Sequence, residues 1–207
     1  MVNKQIVRII EDSRETGWVM EPEAKRIFSI AGLDVPSYTL AESPKDAISF
    51  AGEIGFPVVA KVVSPEIIHK TEVSGVEVGI DTPEELEEVF KRFSGIKGFA
   101  GMLVEQMIEG TELIVGAKTD SQFGPVVLIG MGGVGVEIYQ DSSIRMAPLR
   151  ENDVKSMVSQ LKARKLIEGF RGSEAVNMKK LTELVIRFSE LAVQLEEEFE
   201  SIDLNPV

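Results

Sequence analysis

The chain has 207 residues, of which 43% are hydrophobic and 27% are charged, and it contains no cysteine. This composition is typical of a water-soluble globular protein, and no apolar run approaches the ~20 residues that span a bilayer. The absence of cysteine excludes disulfide bonds and thiolate metal sites. The N-terminus lacks the apolar segment of a signal peptide, so we expect a cytoplasmic protein.

The formal net charge of −12 at pH 7 argues against nucleic acid as a partner, because phosphate neutralisation needs clustered lysine and arginine. The same charge does not exclude a nucleotide as a ligand. A nucleotide site needs only a few local cations together with Mg²⁺, whatever the charge of the remaining surface.

Apolar residues at helical spacing, together with helix-start and helix-stop signals, predict six helices. Ser43-Pro44 and Thr82-Pro83 have the pattern of a capping residue followed by a first-turn proline, and Gly32 and Gly55 are natural helix ends. The predicted helices are residues 4–15, 22–31, 44–54, 83–93, 150–168 and a long helix from about Asn177 to residue 195.

Short apolar runs bounded by turn residues predict the strands. The order up to residue 93 is therefore β-α-β-β-α, and the later sequential strands favour antiparallel pairing. A glycine-rich turn over 130–135 either approaches a phosphate or is a simple hairpin turn. The predicted strands are residues 35–40, 58–63, 75–80, 101–108, 111–119, 125–130 and 136–139.

The segment GFPVVAKVVSPEIIHKTEVSGVEVG, residues 55–79, concentrates unusual ionisable residues. Lys61 interrupts a buried strand, so its ammonium leaves the strand in one defined direction and needs an anionic partner. His69, the only histidine, follows in a polar loop beside Lys70. A strand lysine next to such a loop suits phosphate chemistry. The simpler interpretation is a lysine reaching solvent at the sheet rim and an ordinary loop histidine.

Polar residues also interrupt other apolar runs. Glu105 lies inside the strand 101–108, and Glu112 shares a strand face with Lys118. Near the end of the chain, Asp203 and Asn205 lie two residues apart, so a strand there would aim both oxygen-bearing side chains at one point, as Mg²⁺ coordination requires. A turn before the following proline is the alternative.

Taken together, these segments resemble one family, the ATP-grasp β subunit or β-like domain of the ADP-forming acyl-CoA synthetases, of which acetate–CoA ligase (ADP-forming) is the best-known type. The resemblance spans about residues 20–207. It rests on the blocks GFPVVAKVVSPEIIHKTEVSGVEVGI, VEQMIEGTELIVGAKTDSQFGPVVLIGMGGVGVE, SSIRMAPL, GFRG and SIDLNPV.

The resemblance implies an α+β ATP-grasp fold in which residues 1–207 form a single domain. Nucleotide would lie between a small α+β subdomain, about 20–100 with a flanking N-terminal helix 3–16, and a larger antiparallel-sheet subdomain, 101–207. The larger subdomain would contain the adenine and ribose strands and the metal-binding end. The cofactors implied are ATP or ADP and Mg²⁺.

The resemblance also assigns roles to individual residues. Lys61 resembles the lysine that contacts the nucleotide phosphates, and Glu112 resembles the carboxylate that holds the ribose. The strand that recognises adenine through its backbone corresponds to Glu105, Gln106, Met107 and Ile108.

His69 resembles a transiently phosphorylated histidine on a swinging loop. Asp203 and Asn205 resemble the acidic-x-Asn pair near the metal, and we expect Asp203 also to orient the imidazole of His69. The implied reaction is acyl-CoA + ADP + phosphate ⇌ carboxylic acid + CoA + ATP. Related chains continue beyond the Asn-Pro motif, so we expect a second metal carboxylate to be missing from this chain or supplied elsewhere.

The chain has no CoA-binding domain and no second histidine, so we expect it to act only with an α subunit that carries both, in an α2β2 hetero-oligomer. Two alternatives stay open. One is another ATP-grasp ligase, of the succinate–CoA or carboxylate–amine type, and the other is a nucleotide-binding regulatory module without turnover.

Overall fold

The computed structural model describes residues 3–132, 141–172 and 174–207, so the predicted strand 136–139 and residues 133–135 of the glycine-rich turn lie outside the described residues. The chain divides into two compact units. The first comprises Lys4–Ile30 and Asp34–Ile108, and the second is formed mainly by Glu109–Val207. The first unit therefore includes residues 101–108, which the sequence analysis grouped with the second subdomain.

The first unit is a four-stranded antiparallel sheet with helices on both faces. Its strands have the order β1-β4-β2-β3, so β2 and β4 are central. A short 3₁₀ helix, Lys70–Val73, follows β2. The strands are β1 Tyr38–Ala41, β2 Val58–Val63, β3 Val76–Ile80 and β4 Gly101–Gln106, and the helices are α1 Lys4–Asp12, α2 Glu21–Ile30, α3 Pro44–Ile54 and α4 Pro83–Ser94.

One face of this sheet forms the hydrophobic core of the first unit. The side chains of α3 and α4 pack against alternate residues of the central strands, as the period of two in a strand requires. The opposite face carries Lys61 and Glu105, and both contact side chains of α2. The core comprises Ala47, Ala51, Val58, Ala60, Val62, Leu86, Phe90, Phe93, Met102 and Val104, among others.

Local signals fixed the helix starts. The hydroxyl of Ser43 accepts a hydrogen bond from the amide of Asp46, and that of Thr82 accepts one from Glu85, each with proline at the next position. The strand predicted over 35–40 begins later, at Tyr38. Pro36 has no amide hydrogen to donate, and the first backbone bond across to β4 is made by the carbonyl of Ser37.

The second unit is also a four-stranded antiparallel sheet, with the order β7-β6-β5-β8, and helices α5 and α7 pack against one of its faces. None of the helices in the described ranges has the length and apolar character needed to cross a membrane. The strands are β5 Leu113–Asp120, β6 Gly124–Met131, β7 Ser142–Met146 and β8 Ser201–Leu204, and the helices are α5 Glu151–Gln160, α6 Arg164–Ile167 and α7 Met178–Gln194.

Two further sequence predictions differ from the structure. Antiparallel pairing of consecutive strands holds for β5 and β6 but is wrong for β4, which pairs with β1 and β2 in the other sheet. The single helix predicted over 150–168 is also wrong, because it is interrupted at Leu161. The buried carboxylate of Asp141 accepts hydrogen bonds of 2.7 Å from the amides of Lys162 and Ala163, which stabilises a new chain direction.

We expect Asp141→Ala to destabilise the protein by about 2 kcal/mol, because it removes a buried charged acceptor from two backbone amides. Urea unfolding at neutral pH measures this loss. Asp120→Ala is the matched control, since Asp120 also accepts from two backbone amides but on an exposed turn. Equal destabilisation by the two substitutions would contradict the role of Asp141.

Candidate functional site

Lys61 has two carboxylate partners on the sheet face opposite the core. In the register of β2 and β4, Val59 lies opposite Glu105 and Lys61 lies opposite Leu103, so Lys61 and Glu105 are diagonal neighbours on one face. The Nζ atom of Lys61 is 2.7 Å from Oε1 of Glu105 and 2.8 Å from Oε1 of Glu21, the first residue of α2. The anionic partner that the sequence required is therefore a pair of glutamates.

Two further lysines complete this arrangement. Nζ of Lys25 is 2.7 Å from Oε2 of Glu105, a close ionic contact without hydrogen-bond geometry, and Nζ of Lys70 donates to Oε2 of Glu21 at 2.6 Å. The exposed fraction of these five side chains ranges from 8% for Glu105 to 22% for Glu21. Such burial is tolerated because every charge has an opposite charge beside it. We call this set the ion cluster: Glu21, Lys25, Lys61, Lys70 and Glu105.

The charges of the ion cluster are mutually stabilised. Burial raises the pKa of Glu21, but the ammonium groups of Lys61 and Lys70 outweigh that effect and lower it to about 2. Burial lowers the pKa of Lys61, but Glu21 and Glu105 outweigh burial and hold it above its usual value. Glu21 and Lys61 are therefore charged at neutral pH. Three ammonium groups and two carboxylates leave a net charge of +1, which favours an approaching anion.

His69 lies in an exposed position immediately before the 3₁₀ helix Lys70–Val73. Its backbone carbonyl accepts a hydrogen bond from the amide of Glu72. Among the described residues, the imidazole has no hydrogen-bond or ionic partner. Because Lys70 belongs to the ion cluster, the loop that carries the only histidine of the chain is attached beside Lys61.

The residues predicted to recognise adenine and ribose differ in accessibility. Gln106 ends β4 and is exposed, Met107 is half-buried and Ile108 is 63% exposed, so this segment is open to a ligand. Glu112 is exposed and precedes β5, and its carbonyl accepts from the amide of Gly132. Glu105 is the exception, because its carboxylate is buried in the ion cluster.

The predicted metal ligands lie at the end of the second unit. Asp203 is exposed on β8, opposite Gly116 of β5. Asn205 directly follows β8 and is also exposed. In the described part of the chain, no cluster of three or more candidate metal-binding side chains is found. Two oxygen ligands fit Mg²⁺, which takes its remaining ligands from phosphate and water.

The sequence analysis missed Glu21 and Lys25. They are four residues apart, so they share one side of α2, and this side faces the sheet. The neighbouring Glu23 and Arg26 have 43% and 59% of their side chains exposed. The available signal was that Lys61 and Glu105 each interrupt an apolar strand. That signal implied a charged counterpart but did not indicate which helix provides it.

We expect Glu21→Gln to lower the unfolding midpoint temperature by roughly 4 °C at pH 7, because three lysines would then share one carboxylate. The contribution of Glu21 is complete above its ordinary pKa of 4.5 and is lost as the pH falls towards about 2. The difference in unfolding midpoint temperature between wild type and Glu21→Gln should therefore become smaller as the pH falls from 4.5 to 3. Glu23→Gln is the control, and a difference independent of pH would contradict the expectation.

Comparison with known proteins identifies relatives over nearly the whole chain. A family model described as an ATP-grasp domain matches residues 11–207. The β subunit of acetate–CoA ligase (ADP-forming) I from Pyrococcus furiosus is 39% identical over 96% of this chain and 89% of the relative. Acetate–CoA ligase (ADP-forming) I from Archaeoglobus fulgidus is 37% identical over 96% of this chain, and the match covers 30% of that longer protein.

Among solved structures, the dinucleotide forming acetyl-coenzyme A synthetase 1 of Ca. Korarchaeum cryptofilum has a TM-score of 0.84 at 39% identity, covering 98% of this chain and 92% of that one. That structure is a complex with coenzyme A and Mg-AMPPCP, with its phosphohistidine segment pointing towards the nucleotide binding site. The predicted α+β ATP-grasp fold is thereby confirmed. The chain belongs to the ATP-grasp family.

Proposed function

We propose that the chain is the nucleotide-binding β subunit of an ADP-forming acyl-CoA synthetase of the acetate–CoA ligase type. In this proposal His69 carries a phosphoryl group between the nucleotide and a partner subunit. The observation that carries it is the ion cluster, in which Glu21 joins Lys61 to Lys70, the residue after His69. The 39% identity to a separate β subunit of such a ligase supports the same activity.

The nucleotide is held by residues with complementary chemistry. Lys61 remains an ammonium and sits in a cluster of net charge +1, so it can neutralise phosphate oxygens. The segment from Gln106 to Ile108, exposed at both ends, offers backbone groups to adenine, and the exposed residue Glu112 accepts hydrogen bonds from ribose hydroxyls through its carboxylate.

His69 performs the phosphoryl transfer. In the ATP-forming direction, a β-phosphate oxygen of ADP attacks the phosphorus on phosphorylated His69. A P–O bond forms as the N–P bond breaks, and the imidazole leaves with its electron pair. In the reverse direction, a neutral imidazole nitrogen attacks the γ-phosphorus of ATP and ADP leaves. Because His69 is exposed, its ring is accessible to both the phosphoryl donor and the phosphoryl acceptor.

Asp203 and Asn205 would hold Mg²⁺, which supplies neutralisation of the charge spread over the phosphate oxygens. Their oxygen atoms are exposed at the end of β8, as ligands must be for a metal that arrives with a nucleotide. The second expected role of Asp203, orienting the imidazole of His69, stays a prediction.

Turnover requires an α subunit that contributes the CoA-binding domain and a second phosphorylated histidine, in the α2β2 assembly that we expect. The Archaeoglobus fulgidus relative supports this requirement, because this chain matches only 30% of its length. In such longer proteins, the part that this chain does not match would supply the functions that we assign to the α subunit. A cytoplasmic location belongs to the same proposal.

We expect γ-labelled ATP with Mg²⁺ to transfer its label to the wild-type chain and not to His69→Asn. The bound label should be acid-labile and alkali-stable, as phosphohistidine is. Nucleotide affinity of His69→Asn should stay within about twofold of wild type, because the imidazole is the acceptor rather than a binding group. Absence of label in wild type with nucleotide bound and the α subunit added would contradict the proposal. That outcome would favour a direct ligase or a binding module.

We expect Asp203→Asn to raise the Mg²⁺ concentration needed for His69 labelling by at least tenfold, because a charged ligand becomes neutral. Titration of labelling rate against Mg²⁺ measures this change. Ser201→Ala is the matched control, since Ser201 is exposed on the same face of β8. If Asp203→Asn needs the same Mg²⁺ concentration as wild type, Asp203 is not a metal ligand.

A further inference from the structure

We propose that Glu21 is a positioning residue that keeps the His69 loop beside Lys61 by binding Lys70. This inference rests on the proposed function for the importance of His69, but the attachment itself is a property of the first unit alone. It assigns a role to a glutamate on a helix that precedes the nucleotide residues in the sequence.

Glu21 divides its two oxygens between two elements. Oε1 accepts from Lys61 of β2 at 2.8 Å, and Oε2 accepts from Lys70 of the loop at 2.6 Å. No other described carboxylate lies within ionic contact of Lys70. Glu21 is thus the one described acidic side chain that joins the loop to the phosphate-binding lysine.

The remainder of the loop is attached at its base. The hydroxyl of Ser64 donates to the carbonyl of Lys97 at 2.9 Å, and the indole of Trp18 donates to the carbonyl of Pro65 at 3.4 Å. The next residues up to His69 are mostly exposed, and Ile68 is 64% exposed. The bond from Lys70 to Glu21 therefore fixes the far side of the loop, immediately after the reactive histidine.

Lys70 is attached through both its side chain and its backbone. Its carbonyl accepts a hydrogen bond of 2.8 Å from the amide of Gly75, which closes the turn after the 3₁₀ helix. The amide of Ser74 donates to the carbonyl of Thr71 at 3.2 Å. Because the 3₁₀ helix has only four residues and a turn this short has little stability of its own, loss of the Glu21 contact should loosen these bonds.

The shared carboxylate also links the loop to nucleotide binding. A phosphate that contacts Lys61 competes with Oε1 of Glu21, while Glu105 continues to pair with Lys61. Substitution of Glu21 removes that competitor and also releases the loop. Glu21→Gln should therefore bind nucleotide at least as tightly as wild type but phosphorylate His69 more slowly, a separation that general destabilisation would not produce.

Hydrogen–deuterium exchange on the full chain tests the attachment directly. We expect the amides of Ser74 and Gly75 to exchange roughly tenfold faster in Glu21→Gln than in wild type, since a charge-assisted contact is lost. Glu23→Gln, on the exposed side of α2, should exchange like wild type. Unchanged exchange in Glu21→Gln would overturn the proposal.

A second variant keeps the test valid if Glu21→Gln folds poorly. Lys70→Met removes the same contact from the loop side and should give the same faster exchange, with no further increase in the double variant. Additive increases would overturn the proposal. The two proposals can fail separately. If wild-type His69 is not labelled but Glu21→Gln exchanges faster, only the proposed function is overturned. If wild-type His69 is labelled but Glu21→Gln exchanges like wild type, only the role of Glu21 is overturned.

Discussion

The first unit is organised around the burial of a lysine ammonium on a sheet face. Lys61 lies on a central strand with 18% of its side chain exposed, where an unpaired charge would cost several kcal/mol. Glu105 on the neighbouring strand and Glu21 on α2 meet this requirement together. Glu21 uses its second carboxylate oxygen to bind Lys70, so the residue that neutralises Lys61 from α2 also attaches the loop after β2.

This cluster also resolves an apparent conflict between composition and function. The chain carries a net charge of −12, yet Lys61, the lysine that we propose contacts the nucleotide phosphates, lies in a group of three lysines and two glutamates. Electrostatic attraction at contact distance depends on the nearest charges, because solvent and salt screen the distant ones. An acidic protein can thus offer a locally positive site to a nucleotide.

Prediction from sequence succeeded where the cause is local. Ser43 and Thr82 cap their helices through bonds that span three residues, so the pattern alone locates them. It failed where the cause is distant. Asp141 interrupts a predicted helix about 20 residues later in the chain, and β4 joins a different sheet from the strand that follows it. A local sequence pattern cannot indicate contacts between residues that are this far apart in the chain.

The sequence by itself determined that Lys61 and Glu105 are unusual, because each interrupts an apolar strand and alternation fixes the side of the strand on which each lies, and that His69 is the only histidine. It also determined the ATP-grasp fold, through motifs spread over most of the chain. Only the tertiary structure decided which residues meet. Glu21 is 40 residues from Lys61 and 49 residues from Lys70, and Coulomb attraction depends on separation in space, which only strand register and helix placement define.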